Sequence, residues 1–118
     1  MTDVEWIQGI RVPSDATLKK YFYGDPDERR RKWKKILVRQ GYVCAICGGK
    51  PNTGILHIEH EHVRGWKKFP AEVRQRYVRG LVCQFCNRFV LARTMTLKKA
   101  RAIVAYLEAY NDRKARDG

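Results

Sequence analysis

The sequence predicts a small α+β fold, in which helices at both ends of a 118-residue chain flank a two-stranded core tied together by four cysteines. Three observations predict it. Two Cys-x-x-Cys turns, Cys44 to Cys47 and Cys83 to Cys86, are separated by 35 residues. Between them, Ile55 to His62 and Tyr77 to Val82 read as paired strands, and outside them apolar residues recur at helical spacing. At this length one domain is expected, since domains hold ~100 to 150 residues, and a second full domain has no room. The organisation is a basic helical segment over 1–42, a cysteine-stapled core over 43–95 and a terminal helix over 96–118, together one compact unit.

Ser14 is placed to cap a short helix through Ala16, Leu18, Lys19 and Phe22, which Gly24 and Asp25-Pro26-Asp27 stop. A second helix runs from about Pro26 to Gln40, with proline at its start and Asp27 and Glu28 in the first turn, where the helix dipole favours negative charge. Trp33, Ile36 and Leu37 give it a buried stripe, and Arg29 to Lys32, Lys34 and Lys35 cover the rest. Between the strands, Pro70, Ala71, Glu72, Val73 and Tyr77 form a short helix within a basic connection. Another helix follows from about Cys86 to Arg93. The last opens near Thr96 and is expected to bury Leu97, Ala100, Ile103, Val104, Leu107 and Tyr110. Its Lys98, Lys99 and Arg101 oppose the dipole at the N-terminal end, which suits either phosphate contact or a tolerated surface.

The chain carries 25 Lys and Arg against 12 Asp and Glu, a formal charge of +13. From Arg29 to Leu107 there are 19 basic residues and three acids, Glu59, Glu61 and Glu72. Such density is the footprint of a nucleic-acid binder, because each cation that neutralises a phosphate releases condensed counterions. A merely solvated surface and attraction to anionic lipid are the alternatives, the latter without an amphipathic anchor to support it. No stretch approaches a membrane span, and the N-terminus lacks the basic start and apolar run of a signal peptide. A cytoplasmic protein with no membrane partner is expected.

In a reducing compartment four cysteines more often ligate metal than pair as disulfides. Cys44, Cys47, Cys83 and Cys86 match the closed tetrahedral shell of structural zinc, which leaves no open position for a catalytic water. A redox dithiol pair or a disulfide framework is the competing reading. The 35-residue excursion that zinc would clamp contains Leu56-His57-Ile58-Glu59-His60-Glu61-His62, with every histidine of the chain and two of its three central acids. These groups either pair with one another, bind a second structural metal, or form a site for a divalent ion and a general base.

Cys44-Ala45-Ile46-Cys47-Gly48, then this histidine segment, then Val78-Arg79-Gly80-Leu81-Val82-Cys83-Gln84-Phe85-Cys86-Asn87 resemble the recombination endonuclease VII family of HNH nucleases, often found in phages. Its pattern is CxxCG, L-x-x-DHDH, then VRGLLCxxCN. The likeness covers about Cys44 to Asn87 and, more softly, the ARAIVAYLEAY run of the last helix. The resemblance implies a ββα-metal core with the zinc knuckles at its base. It also implies a metal-dependent DNA endonuclease, a nickase or a resolvase of branched DNA such as Holliday junctions. Residue by residue, Glu59 matches the metal-binding Asp, Asn87 the metal-binding Asn, His60 the general base, and His62 the histidine that positions the scissile phosphate. His57 and Glu61 receive no role.

Elementary chemistry agrees with those assignments. A neutral imidazole, with reference pKa ~6.5, takes a proton from water near neutral pH. A carboxylate and an amide carbonyl are hard oxygen donors that suit Mg²⁺. The expected reaction is in-line attack by water, leaving a 5′ phosphate and a 3′ hydroxyl. One constraint stands against it: adjacent side chains on a regular strand face opposite ways, so Glu59 and His60 can serve one phosphate only if the strand bends or bulges.

Two departures from the family pattern stand out. Glu59 replaces Asp, which reaches further and favours Mn²⁺ with its looser geometry. The connection from Val63 to Arg76 is longer than the family's turn and interleaves Arg64, Lys67, Lys68, Arg74 and Arg76 with Trp66, Phe69 and Tyr77, as suits a nucleic-acid strand. Only 31 residues follow Asn87, too few for a large C-terminal dimerisation module, and homodimerisation stays open. The rival functional class is a noncatalytic zinc-ribbon protein that binds nucleic acid.

Overall fold

The computed structural model describes residues 4–92 and 94–117. Its first element is a hairpin that carries no strand-like run in the sequence: β1 (Trp6–Ile7) pairs antiparallel with β2 (Ile10–Arg11). Gln8 and Gly9 both have positive φ, the conformation of a two-residue turn whose twist matches the strands. The hairpin is pinned at Gly54, whose carbonyl accepts from the Arg11 N–H at 2.8 Å. A β-carbon on Gly54 would stand 2.5 Å from the Trp6 ring, so only glycine fits.

Helices α1 (Asp15–Tyr21) and α2 (Pro26–Arg39) lie where their capping signals predict. The Ser14 hydroxyl accepts from the Thr17 N–H at 3.2 Å, and Asp25 Oδ1 accepts from the Glu28 N–H at 2.9 Å. Leu18 and Phe22 meet Trp33 and Leu37 in the core, each buried side chain contributing about 1.5–3 kcal/mol. Ile36 is only half-buried. Arg29 departs from the solvated face expected of it. It is buried between the helices, donating through Nη2 to both Asp15 oxygens at 2.8 and 2.9 Å and through Nη1 to the Gly24 carbonyl. That fork replaces the hydration a buried guanidinium loses.

Strand β3 (His57–His60) is shorter than the stretch from Ile55 to His62, because the chain turns away after His60. It pairs antiparallel with β4 (Val78–Val82) through His57↔Val82, Ile58↔Leu81 and Glu59↔Gly80. His60 then pairs with Val78, leaving Arg79 as the extra residue of a β-bulge. The connection holds a 3₁₀ turn at Trp66–Lys68, helix α3 (Ala71–Arg74) and a second 3₁₀ turn that ends at Tyr77. After β4 the chain makes one wide π-type turn at Cys86–Val90, shorter than the expected helix, whose last residue Arg93 lies outside the described residues.

Gln40, just past α2, fastens that helix to the sheet. Its Oε1 accepts from the Leu81 N–H at 2.9 Å, and its Nε2 donates to the carbonyls of Leu81 and Val43 at 2.8 and 3.0 Å. Gly80 makes room for this contact, since a β-carbon there would stand 2.9 Å from Gln40 Oε1.

Helix α4 (Leu97–Asp117) departs most from expectation. Its apolar stripe exists, but only Ala100 is even partly covered; Leu107 is 53% exposed and Ile103, Val104 and Tyr110 are also in solvent. The helix stretches the molecule to 60 Å along its longest axis. The periodicity is right, and nothing among the described residues covers the stripe. Among the described residues no helix is long and apolar enough to cross a membrane.

Gln40→Ala should destabilise the protein by about 1–3 kcal/mol, the cost of leaving the Leu81 N–H without an acceptor. Chemical denaturation with matched slopes measures it; an unchanged midpoint would mean that the amide contact is incidental.

Candidate functional site

The four cysteines converge as their spacing predicts. All four thiols are free of disulfides, and their sulfurs lie within 4.8 Å of one another, with Cys47 and Cys83 at 3.9 Å. Ligands at about 2.3 Å from a tetrahedral Zn²⁺ stand about 3.8 Å apart, so the cluster fits the ion. Burial pushes the Cys44 thiol up, but the backbone N–H groups of Cys47, Cys83 and Ile46 pull it down to about 6. Cys86 is driven the other way, to about 12, by burial and by the neighbouring sulfurs. One thiolate forms readily and the cluster resists further charge, which a central cation would offset.

At the far end of β3 the bulge alters the alternation of side chains. Glu59 is 3% exposed, and the inserted Arg79 reaches across to it: Nε donates to one carboxylate oxygen at 2.8 Å and Nη2 to the other. This hydrogen bonding holds the Arg79 guanidinium above its ordinary pKa. The next residue, His60, lies against the Trp66 ring, with centroids 3.9 Å apart and planes at 20°. His62 is 4.9 Å away by ring centroid and Tyr21 5.9 Å. Burial is the main influence pulling the His60 pKa below its usual value, followed by the nearby His62; Glu59 opposes and Arg79 adds to the lowering. His60 therefore stays neutral where an ordinary histidine begins to charge, and takes up its proton only as pH falls through the lowered midpoint.

These side chains open onto adjoining hollows. His60 and His62 line one of about 810 Å³ with Tyr21, Trp66 and Arg74. Asn87 lines another, of about 340 Å³, with His57 and Tyr21. His62, Glu61 and Arg79 border a third beside the start of α4. The structure thus brings His60 and His62 together, with Glu59 next to His60 in β3, while Asn87 lines a separate hollow with Tyr21 and His57. The sequence assigns no role to two contributors: Tyr21 is only an aromatic near a helix end, and Arg79 is visible as a member of the VRGL motif but without a hint that it pairs with Glu59.

Comparison with known proteins decides the family. A family model described as Recombination endonuclease VII matches residues 16–109. The chain belongs to the recombination endonuclease VII family. No curated protein and no solved structure matches it. Membership makes it a nuclease with DNA as its substrate, and the match extends the resemblance seen at Cys44 to Asn87 over α1, α2 and most of α4.

The resemblance to this family implies a catalytic divalent ion, and Glu59 can be tested for its fit as a ligand. The carboxylate is buried and already holds a cation, the Arg79 guanidinium, so its surroundings favour a positive partner. The Arg79 side chain is 45% exposed. Hard oxygens on Glu59 and Asn87 are the donor types that Mg²⁺ and Mn²⁺ take. The donor types suit such an ion, while the carboxylate is occupied by the guanidinium and Asn87 lines a separate hollow.

Titration of the His60 ring protons by NMR should give a midpoint below the reference value of ~6.5. Trp66→Ala should raise it by opening the ring to water. A midpoint unmoved by that substitution would rule out burial against the indole as the cause.

Proposed function

We propose that the protein is a divalent-ion-dependent DNA endonuclease with His60 as its general base. The observation that carries this reading is a depressed-pKa imidazole at a cation-lined hollow, one residue from a buried carboxylate that holds a positive partner. In this reading β3, β4 and the turn beginning at Cys86 act as the ββα-metal unit of an HNH nuclease, stapled by zinc. His60 takes a proton from a water, whose oxygen attacks phosphorus as the bond to the 3′ oxygen breaks. The products are a 5′ phosphate and a 3′ hydroxyl. His62 orients the scissile phosphate. Glu59 and Asn87 would hold Mg²⁺ or Mn²⁺, and such an ion neutralises charge at the phosphate and departing oxygen. The basic, aromatic connection suits nicked or branched DNA, and the setting is the cytoplasm, the host's if the gene is a phage's.

One observation favours the rival reading of a noncatalytic DNA-binding protein: both Glu59 oxygens are engaged by Arg79. Conversion of supercoiled plasmid to open circle separates the two. The wild type should nick with Mg²⁺ or Mn²⁺, and His60→Ala should slow nicking by about 10²–10⁴-fold while leaving zinc content and DNA affinity unchanged. A wild type that binds plasmid and cuts it with neither ion is the binding protein.

The bare stripe of α4 is assigned to a second copy of the chain. Antiparallel two-fold pairing centred between Val104 and Ala105 would cover the stripe on both copies and set Arg101 of each opposite Glu108 of the other. Sedimentation should show a dimer that Leu107→Glu converts to a folded monomer; a monomeric wild type at micromolar concentration contradicts the pairing.

A further inference from the structure

Three buried side-chain polar atoms among the described residues have no hydrogen-bond partner: Trp33 Nε1, Trp66 Nε1 and Arg74 Nε. Trp33 is wholly enclosed in the core. The other two belong to one cluster beside the His60 hollow, with the Arg74 guanidinium carbon 5.7 Å from the Trp66 ring centroid. Both are donors, and a buried donor without an acceptor costs about 1–3 kcal/mol. Two such donors in one place indicate that an acceptor belongs there.

The lining says which acceptor. Lys20 on α1, Arg64, Lys67 and Lys68 in the connection, and Arg74 on α3 all line this hollow, and no carboxylate does. The group it suits is anionic and rich in lone pairs, able to accept from an indole N–H and a guanidinium N–H together. A phosphate oxygen meets that description. His60 and His62 line the same hollow, so a phosphate held by Trp66 and Arg74 would sit next to the one those imidazoles face.

We propose that Trp66 and Arg74 form a subsite for a phosphodiester flanking the scissile one, built by the Val63 to Arg76 connection. The assignment rests on the nuclease reading for the identity of its neighbour. Trp66 has two roles in it. The ring face orders His60, and the ring edge donates to the flanking phosphate, which makes Trp66 a positioning residue that couples strand placement to the orientation of the base. Arg74 both covers the indole and presents its Nε to the same anion. Loading the subsite satisfies two donors that are otherwise stranded, so nucleic acid would firm up the connection as it binds.

The indole N–H signal of Trp66 reports this directly, and Trp66→Phe identifies it among the three tryptophans of the chain. The probe is single-stranded pentathymidylate, added to the zinc-loaded full chain without other divalent ions, so that nothing is cut. The Trp66 signal should shift saturably while those of Trp6 and Trp33 stay in place, and an analogue with uncharged methylphosphonate linkages should leave it unmoved. Arg74→Gln should weaken the response about tenfold, the worth of one charge-assisted hydrogen bond, and Trp66→Phe, which keeps a ring against His60, should lose affinity similarly when binding is followed by the fluorescence anisotropy of end-labelled pentathymidylate. A signal unmoved by the charged strand, or moved equally by the neutral one, overturns the subsite. Inorganic phosphate saturating the shift at the same concentration as the strand would overturn its assignment to nucleic acid. Because the readout is binding, failure of plasmid nicking counts against the nuclease reading alone, and a silent indole in an enzyme that nicks counts against the subsite alone.

Discussion

Convergence of four sulfurs on one point fixes the geometry on which everything else rests. Cys44 and Cys47 follow directly on α2, and Cys83 and Cys86 follow directly on β4, so their closure joins the exit of the helix to the end of the strand. The join is reinforced along its length: the Cys83 N–H donates to Cys44 Sγ at 3.3 Å, the Ala45 N–H to the Leu81 carbonyl at 3.1 Å, and Gln40 binds both polar groups of Leu81. A two-stranded sheet is marginal on its own in water. Here β4 is held from behind as β3 pairs to its front, so the histidine segment inherits its position from the cysteines rather than from a large core.

The bulge converts that fixed sheet into a site. A regular ladder would turn Glu59 and His60 to opposite faces and leave Arg79 paired in sequence. Inserting Arg79 breaks the register between Glu59 and His60, buries the carboxylate under a guanidinium and leaves the imidazole on the rim of the hollow. Burial of Glu59 without that partner would cost several kcal/mol. The fork from Arg79 is therefore what allows an acid to sit inside this sheet.

Much of this was readable from residue order. Caps at Ser14 and Asp25, the Trp33 and Leu37 stripe, both strands and the cysteine cluster follow from local rules, because the groups that satisfy them are a few residues apart or share a periodicity. The N-terminal hairpin was not, since two-residue strands have no pattern to detect and only Gly9 hints at the turn. Arg29 looks like further surface charge in a chain of 25 basic residues, and Arg79 like one member of the VRGL motif; what each pairs with depends on an acid 14 or 20 residues away in sequence. A bend or bulge is expected from the adjacency of Glu59 and His60; the irregularity falls between them, with its extra residue, Arg79, on the partner strand. That Asn87 and His60 line different hollows could not be read, because it depends on how separate elements pack together. For α4 the apolar repeat was correct and its burial was not, since periodicity says that a face wants covering and nothing about what covers it.

The parallel stack of His60 on Trp66 has an optical consequence. An excited indole loses its energy readily to an imidazolium held against its face and much less to a neutral imidazole. Trp33 is sealed in the core and Trp6 lies on the opposite hairpin, away from any histidine ring among the described aromatic contacts. The emission of Trp66 is therefore a built-in reporter of the charge on the neighbouring ring, readable in the unlabelled protein and on the timescale of mixing, so that proton uptake at the site can be followed while a strand arrives and leaves.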